Sequence, residues 1–168
     1  MFQHVDVALN ERVVIFKDGL PTRTLAPGRH TIWGFGVELV RFKIDDVVFD
    51  AAAEVRAVIP DPWFGETTIG THERGILSRD GVPVVFLRPG SHRYWTIDPS
   101  VELTVMSVEQ PLPELTDELM AVIPSREYVQ AFVRAHEKGL HYEQGRLVRE
   151  LEPGRHAFWT HPGAMVDI

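Results

Sequence analysis

The side chains able to do chemistry in this chain recur at fixed intervals. Of its eight histidines, three close a Pro-Gly-x-His turn: His30, His92 and His156. Three imidazoles brought to one axis would suit zinc or another borderline metal. The plainer alternative has each ring bond a carbonyl of its own turn. It is preferred here, because a turn written three times is scaffold more readily than site. His72-Glu73 and His136-Glu137 supply half of a His-Glu-x-x-His zinc motif, but no histidine follows at the spacing the motif needs. His136 and His141 are five apart and lie across an expected strand. The carboxylates Asp45, Asp46, Glu114, Asp117 and Glu118 fall at a strand end and a helix N-terminus, where a solvated position explains them. No serine-nucleophile motif and no phosphate loop occurs, and Gly34-Phe35-Gly36 has no helix signal after it. With no cysteine in the chain, thiol catalysis, thiolate metal sites and disulfides are excluded. These residues name no reaction, so neither enzyme activity nor a cofactor is expected.

The elements that must position them are themselves repeated. Pro27-Gly28-Arg29-His30 returns as Pro89-Gly90-Ser91-His92 and as Pro153-Gly154-Arg155-His156, with Trp33, Trp95 and Trp159 six residues after each proline. Upstream stand Asn10-Glu11-Arg12, His72-Glu73-Arg74 and His136-Glu137-Lys138, and then the tight-turn pairs Asp18-Gly19, Asp80-Gly81 and Gln144-Gly145. The offsets are 62 and then 64 residues, the change falling between Trp95 and the second Val-Glu-Leu triplet, near residues 99–100. Runs such as Arg12 to Lys17, Thr22 to Leu25, Val37 to Asp45, Glu66 to Thr71 and Tyr128 to Ala135 predict strands. Ala51 to Val58 and Pro113 to Val122 predict short helices, each before an Ala-Val-Ile-Pro stop. The expected fold is mainly β with an α+β tendency. It is built from three tandem antiparallel β-hairpin units of about 62–64 residues joined by short helices: 1–60, 61–124 and a curtailed 125–168.

Two positions stay apolar in all copies and are the expected core: Val14/Ile76/Leu140 and Leu25/Leu87/Leu151. The repeated tryptophans are expected to join it, since aromatics dominate buried energetics. Trp63 and Phe64 stand outside the pattern, and as an exposed aromatic loop they would contact a partner or lipid.

A net charge of −7 with scattered basic residues disfavours a nucleic-acid surface. Met1 to Asn10 has neither the basic start nor the apolar run of a signal peptide, and no stretch approaches the roughly 20 apolar residues that span a bilayer. A cytoplasmic location is expected, with membrane association only through a partner or a downstream segment.

The run from His136 through Glu137, Gly139, Gly145, Arg146, Leu151, Pro153, Gly154 and His156 to Trp159 resembles the segment that opens band 7 domains. These are the stomatin, prohibitin and flotillin relatives, bacterial slipins in particular. The likeness recurs in all three units, least in the first, where Val13 replaces the glycine. It implies a non-enzymatic scaffold of membrane-associated oligomers that organise lipid microdomains or regulate membrane proteases. The membrane anchor and the long charged helix of that family are absent from this sequence, which resembles an N-terminal repeat module of a slipin-like protein. The expected partners are therefore another protein or a second copy of the chain, with no nucleic acid and the membrane engaged only indirectly. A metal- or small-ligand module using histidines at the repeat junction is the alternative.

Overall fold

A positive φ at two successive residues folds the chain back on itself in every repeat: Asp18 and Gly19, Asp80 and Gly81, Gln144 and Gly145. This is the type I′ turn, whose twist matches that of the strands it joins. The computed structural model describes residues 2–112 and 114–160 and the backbone of 166 and 167. The first repeat runs β1 (Phe2–Val7), β2 (Glu11–Lys17), β3 (Leu20–Leu25), β4 (Gly28–Trp33) and β5 (Val37–Lys43). The second runs β6 (Phe64–Ile69), β7 (Glu73–Arg79), β8 (Val82–Leu87), β9 (Gly90–Trp95) and β10 (Val101–Ser107). The third runs β11 (Tyr128–Val133), β12 (Gly139–Glu143), β13 (Arg146–Leu151), β14 (Gly154–Trp159) and β15 (Val166–Asp167). Two helices, α1 (Ala53–Arg56) and α2 (Asp117–Val122), lie between repeats. The protein is mainly β, as its sequence predicts.

The strands pair in the same way each time. The first and fourth strands of a repeat form a two-stranded ribbon: β1–β4, β6–β9 and β11–β14. The second strand sits at the centre of a three-stranded sheet, in the orders β3-β2-β5, β8-β7-β10 and β13-β12-β15. A register shift recurs at one place in every hairpin, between Ile15 and Phe16, Leu77 and Ser78, and His141 and Tyr142. The glycine of each Pro-Gly pair carries a positive φ (133°, 137° and 145° at Gly28, Gly90 and Gly154), which a side chain resists. The two added residues near 99–100 are taken up by a turn in which the Ser100 N–H and hydroxyl donate to Asp98 Oδ1 at 2.9 and 2.6 Å.

Two compact units divide the chain: Met1–Thr67 with Ser91–Val101, and Thr68–Gly90 with Glu102–Ile168. In the first unit, Val5, Val7 and Ile32 of the ribbon pack on Val13, Ile15 and Leu25 of the sheet. A second core lies on the other face of that sheet, where Val14 meets Ile44, Phe49, Val55, Ile59 and Trp95. Because both faces of β2 are covered, Val13, Val14 and Ile15 are all buried in succession. The second unit has the matching arrangement: Ile76, Val108, Leu112, Ile123 and Trp159 share one core, and Val133, Leu151 and Phe158 another.

Three expectations need correction. Leu25, Leu87 and Leu151 are buried, but Val14, Ile76 and Leu140 differ at 0, 3 and 41% exposure. The tryptophans differ more: Trp95 and Trp159 are 1 and 3% exposed, and Trp33 is 74%. A residue facing outward from a repeat is buried only when another repeat covers it, and the local pattern is silent on that. The helices are also shorter than the propensity of Ala51 to Val58 suggests. α1 is a single turn, because the chain before it is drawn into pairing: the Phe49 N–H donates to the Arg93 carbonyl at 2.9 Å. α2 begins after Thr116, whose hydroxyl accepts from the Leu119 N–H at 3.3 Å. Pro113 lies outside the described residues, as do the side chains beyond Thr160.

Candidate functional site

Within the first unit, the start of the second repeat is inserted into the outer face of the first. Phe64, Trp95 and Ile97 all pack into the core around Val14. The Trp95 ring centroid lies 4.5 Å from that of Phe49 and 6.3 Å from that of Phe42. Backbone pairing seals the insertion, with the Trp95 N–H donating to the Val47 carbonyl at 2.9 Å and Val48 bridging Tyr94. Arg12, itself 6% exposed, sets its guanidinium 4.9 Å above the Trp63 ring and bonds the Leu9 and Glu11 carbonyls.

The second unit repeats the design with different chemistry. Tyr128 and Trp159, directly paired across β11 and β14, pack into the core around Ile76. The Leu112 N–H donates to the Ala157 carbonyl at 3.2 Å. Arg74 matches Arg12 and Glu127 matches Trp63 at the repeat offsets. Here the cation–π contact becomes an ion pair, Arg74 Nε to Glu127 Oε2 at 3.1 Å, with Arg88 Nε at 3.1 Å from the other carboxylate oxygen.

The first repeat carries the same insertion group uncovered. Phe2, Trp33 and Phe35 match Phe64, Trp95 and Ile97 in order, and all three are exposed. Phe2 pairs with Trp33 across β1 and β4, and their rings stack at 5.3 Å and 24°. Among the described residues β4 has β1 as its sole sheet neighbour. Three uncovered aromatics therefore stand together beside the β1–β4 ribbon. The repeat offsets align Phe2, Trp33 and Phe35 with Phe64, Trp95 and Ile97 but do not say which of the two groups is covered. The expected interaction pair, Trp63 and Phe64, is instead half-buried and packed against the first unit's core.

The third repeat mirrors this with an open receiving face. Leu140 occupies the position of Val14 and Ile76. Leu147, opposite Tyr142 in the β12–β13 register, is exposed as well. Lys138, at the position of Arg12 and Arg74, turns to Glu150 of its own sheet at 3.2 Å. That hydrogen bond and the charges of Glu150 and Glu152 raise its affinity for the proton.

His141, five residues after His136, lies on β12 at the repeat position of Ile15 and Leu77. It is 1% exposed, its ring 4.1 Å from that of Phe158. Neither nitrogen makes a hydrogen bond, and Nε2 lies 3.5 Å from Glu143 Oε1. Burial pushes its pKa down, with Glu143 opposing and Arg149 reinforcing the shift.

The Pro-Gly-x-His rings serve their own turns. His30 and His156 each place Nε2 2.7 Å from the carbonyl four residues earlier, of Ala26 and Glu152. His92 lies on β9 and makes contacts of its own. Among the described residues no three histidines or carboxylates converge as a metal site would require. His156 does line a cleft of about 1250 Å³ in the second unit, together with Arg149, Arg155, Gln130 and the apolar Leu115 and Phe132. No described helix is long and apolar enough to cross a membrane. No protein-family model, curated protein or solved structure matches this chain.

Proposed function

We propose that this chain is a non-enzymatic assembly module, comparable in role to the N-terminal region of slipin-like proteins. It joins protein partners through faces that its own repeats use on each other. Any membrane microdomain is reached indirectly, through a longer parent chain or a partner. One observation carries the reading: Phe2, Trp33 and Phe35 are exposed although their counterparts in the second repeat are packed in a core. Light scattering across a wide range of protein concentration tests it. The chain should gain mass as concentration rises, and Trp33→Ala should remain a monomer over the same range. A wild-type chain that stays monomeric throughout, or a Trp33→Ala chain that assembles equally well, overturns the reading.

The alternative, a small-ligand module, is favoured by the second-unit cleft with Arg149, Arg155 and His156 on its wall. Calorimetric titration with zinc or inorganic phosphate separates the two. Saturable heat that disappears in His156→Ala favours a ligand site, and its absence leaves assembly as the function.

A further inference from the structure

Resting on the assembly reading, we propose that the partner is a second copy of this chain bound head to tail. The Phe2–Trp33–Phe35 group of one copy inserts against the Leu140–Tyr142–Leu147 face of the next. The template is within the molecule. At each internal junction the same two positions meet: Trp95 shares a core with Val14, and Trp159 shares one with Ile76. The third instance of each position is left over. Trp33 is the inserting tryptophan without a face, and Leu140 is the receiving residue without a tryptophan. A second copy supplies both.

Residue chemistry agrees with this partner. The receiving face presents Leu140 and Leu147 exposed and Tyr142 half-buried, with the Lys138–Glu150 ion pair beside Leu140. Lys138 stands where Arg12 covers Trp63 and Arg74 holds Glu127. Covering three aromatics of roughly 150–250 Å² each, already about three-quarters exposed, removes on the order of 300–600 Å² from water. That is a large share of the roughly 800 Å² per partner in a standard interface. The internal junctions also carry backbone bonds from a following linker, such as Phe49 N–H to the Arg93 carbonyl. The contact between copies rests on side chains, so it is weaker than the internal junctions and reversible. Because the two faces differ, the contact is heterologous, and each copy in a singly bonded pair keeps one face for a further copy or for closure of a ring.

Sedimentation velocity on three chains tests the inference: wild type, Trp33→Ala, and Leu140→Asp, with Leu147→Asp as a second change on the receiving face. Thermal unfolding of each confirms that it is folded. The wild type should gain mass with concentration, as closed rings or as an open ladder of species. Each variant alone should associate at least about thirtyfold more weakly, the loss expected for a central hot-spot residue. An equimolar mixture of Trp33→Ala and Leu140→Asp should restore association and stop at a dimer, because each chain retains one working face. Loss of association in Trp33→Ala with none in Leu140→Asp or Leu147→Asp overturns the head-to-tail contact and leaves the assembly reading standing, with two aromatic edges face to face. A mixture that fails to recover overturns it as well. A wild-type monomer at every concentration rejects both.

Discussion

Three tryptophans at one position of a repeat, with three different burials, give a stability series that can be worked from the structure. Trp95 is fully buried, with Phe49 and Phe42 against its ring. Cutting it to alanine loses the transfer energy of the indole and leaves a cavity, about 3–5 kcal/mol for a buried Trp or Phe. The two aromatic contacts place it at the upper end of that range. Trp159 is also buried and stacks on Phe86 at 6.3 Å, but its indole N–H has no acceptor. Removing an unsatisfied donor returns about 1 kcal/mol, so the net loss is nearer 3 kcal/mol. Trp33 loses only its stack on Phe2 and part of its contact area, about 0.5–1 kcal/mol. The assay is urea unfolding followed by far-ultraviolet circular dichroism, since fluorescence would change with the residue removed. It is run at a concentration where the chain is monomeric. Both Trp95→Ala and Trp159→Ala should lower the urea midpoint, Trp95→Ala the more. A Trp33→Ala loss as large as that of Trp95→Ala would refute the reasoning, because it would mean that Trp33 is buried in the monomer.

Glu127→Gln removes the charge shared by Arg74 and Arg88 while keeping its volume. An uncompensated buried guanidinium should cost about 3 kcal/mol in the second unit, little changed by added salt; a urea midpoint unchanged within error refutes it. His141→Leu, which copies Leu77 of the second repeat, should stabilise the second unit, and increasingly so as pH falls. The sign follows from the lowered pKa: the folded chain holds His141 neutral while the unfolded chain takes up a proton below about 6.5, so stability is lost as pH drops through and below that value. Thermal midpoints with the same pH dependence in both chains would contradict this. Gly75→Ala places a methyl 3.0 Å from Ile69 Cδ1 and 3.1 Å from the fixed Leu87 Cβ. Overpacking of that kind should cost about 1–3 kcal/mol, read as a lower urea midpoint, and a stable Gly75→Ala chain would show that the repeat can open to admit it.

The hairpins were legible because their instructions are local. Asp18-Gly19, Asp80-Gly81 and Gln144-Gly145 take positive φ in all three repeats, and each Pro-Gly glycine does too. Leu25 and Leu151 point into cores closed by their own repeats, so one repeat's pattern suffices to bury them, and Leu87 is buried as they are. The second set of core positions was not legible. Val14, Ile76 and Leu140 face outward and depend on what arrives from beyond the repeat, as do Trp33, Trp95 and Trp159. His141 aligns with Ile15 and Leu77, but its lack of hydrogen-bond partners is a fact of packing.

By itself, the sequence determined a mainly β chain of three like units with tight turns at set places, because turn geometry depends on two adjacent residues and strand faces on alternation. The tertiary structure decided which copies of the repeated aromatics and leucines are covered. Covering depends on contact between segments some sixty residues apart, and the repeat writes the same residues whether or not a neighbour is there to receive them.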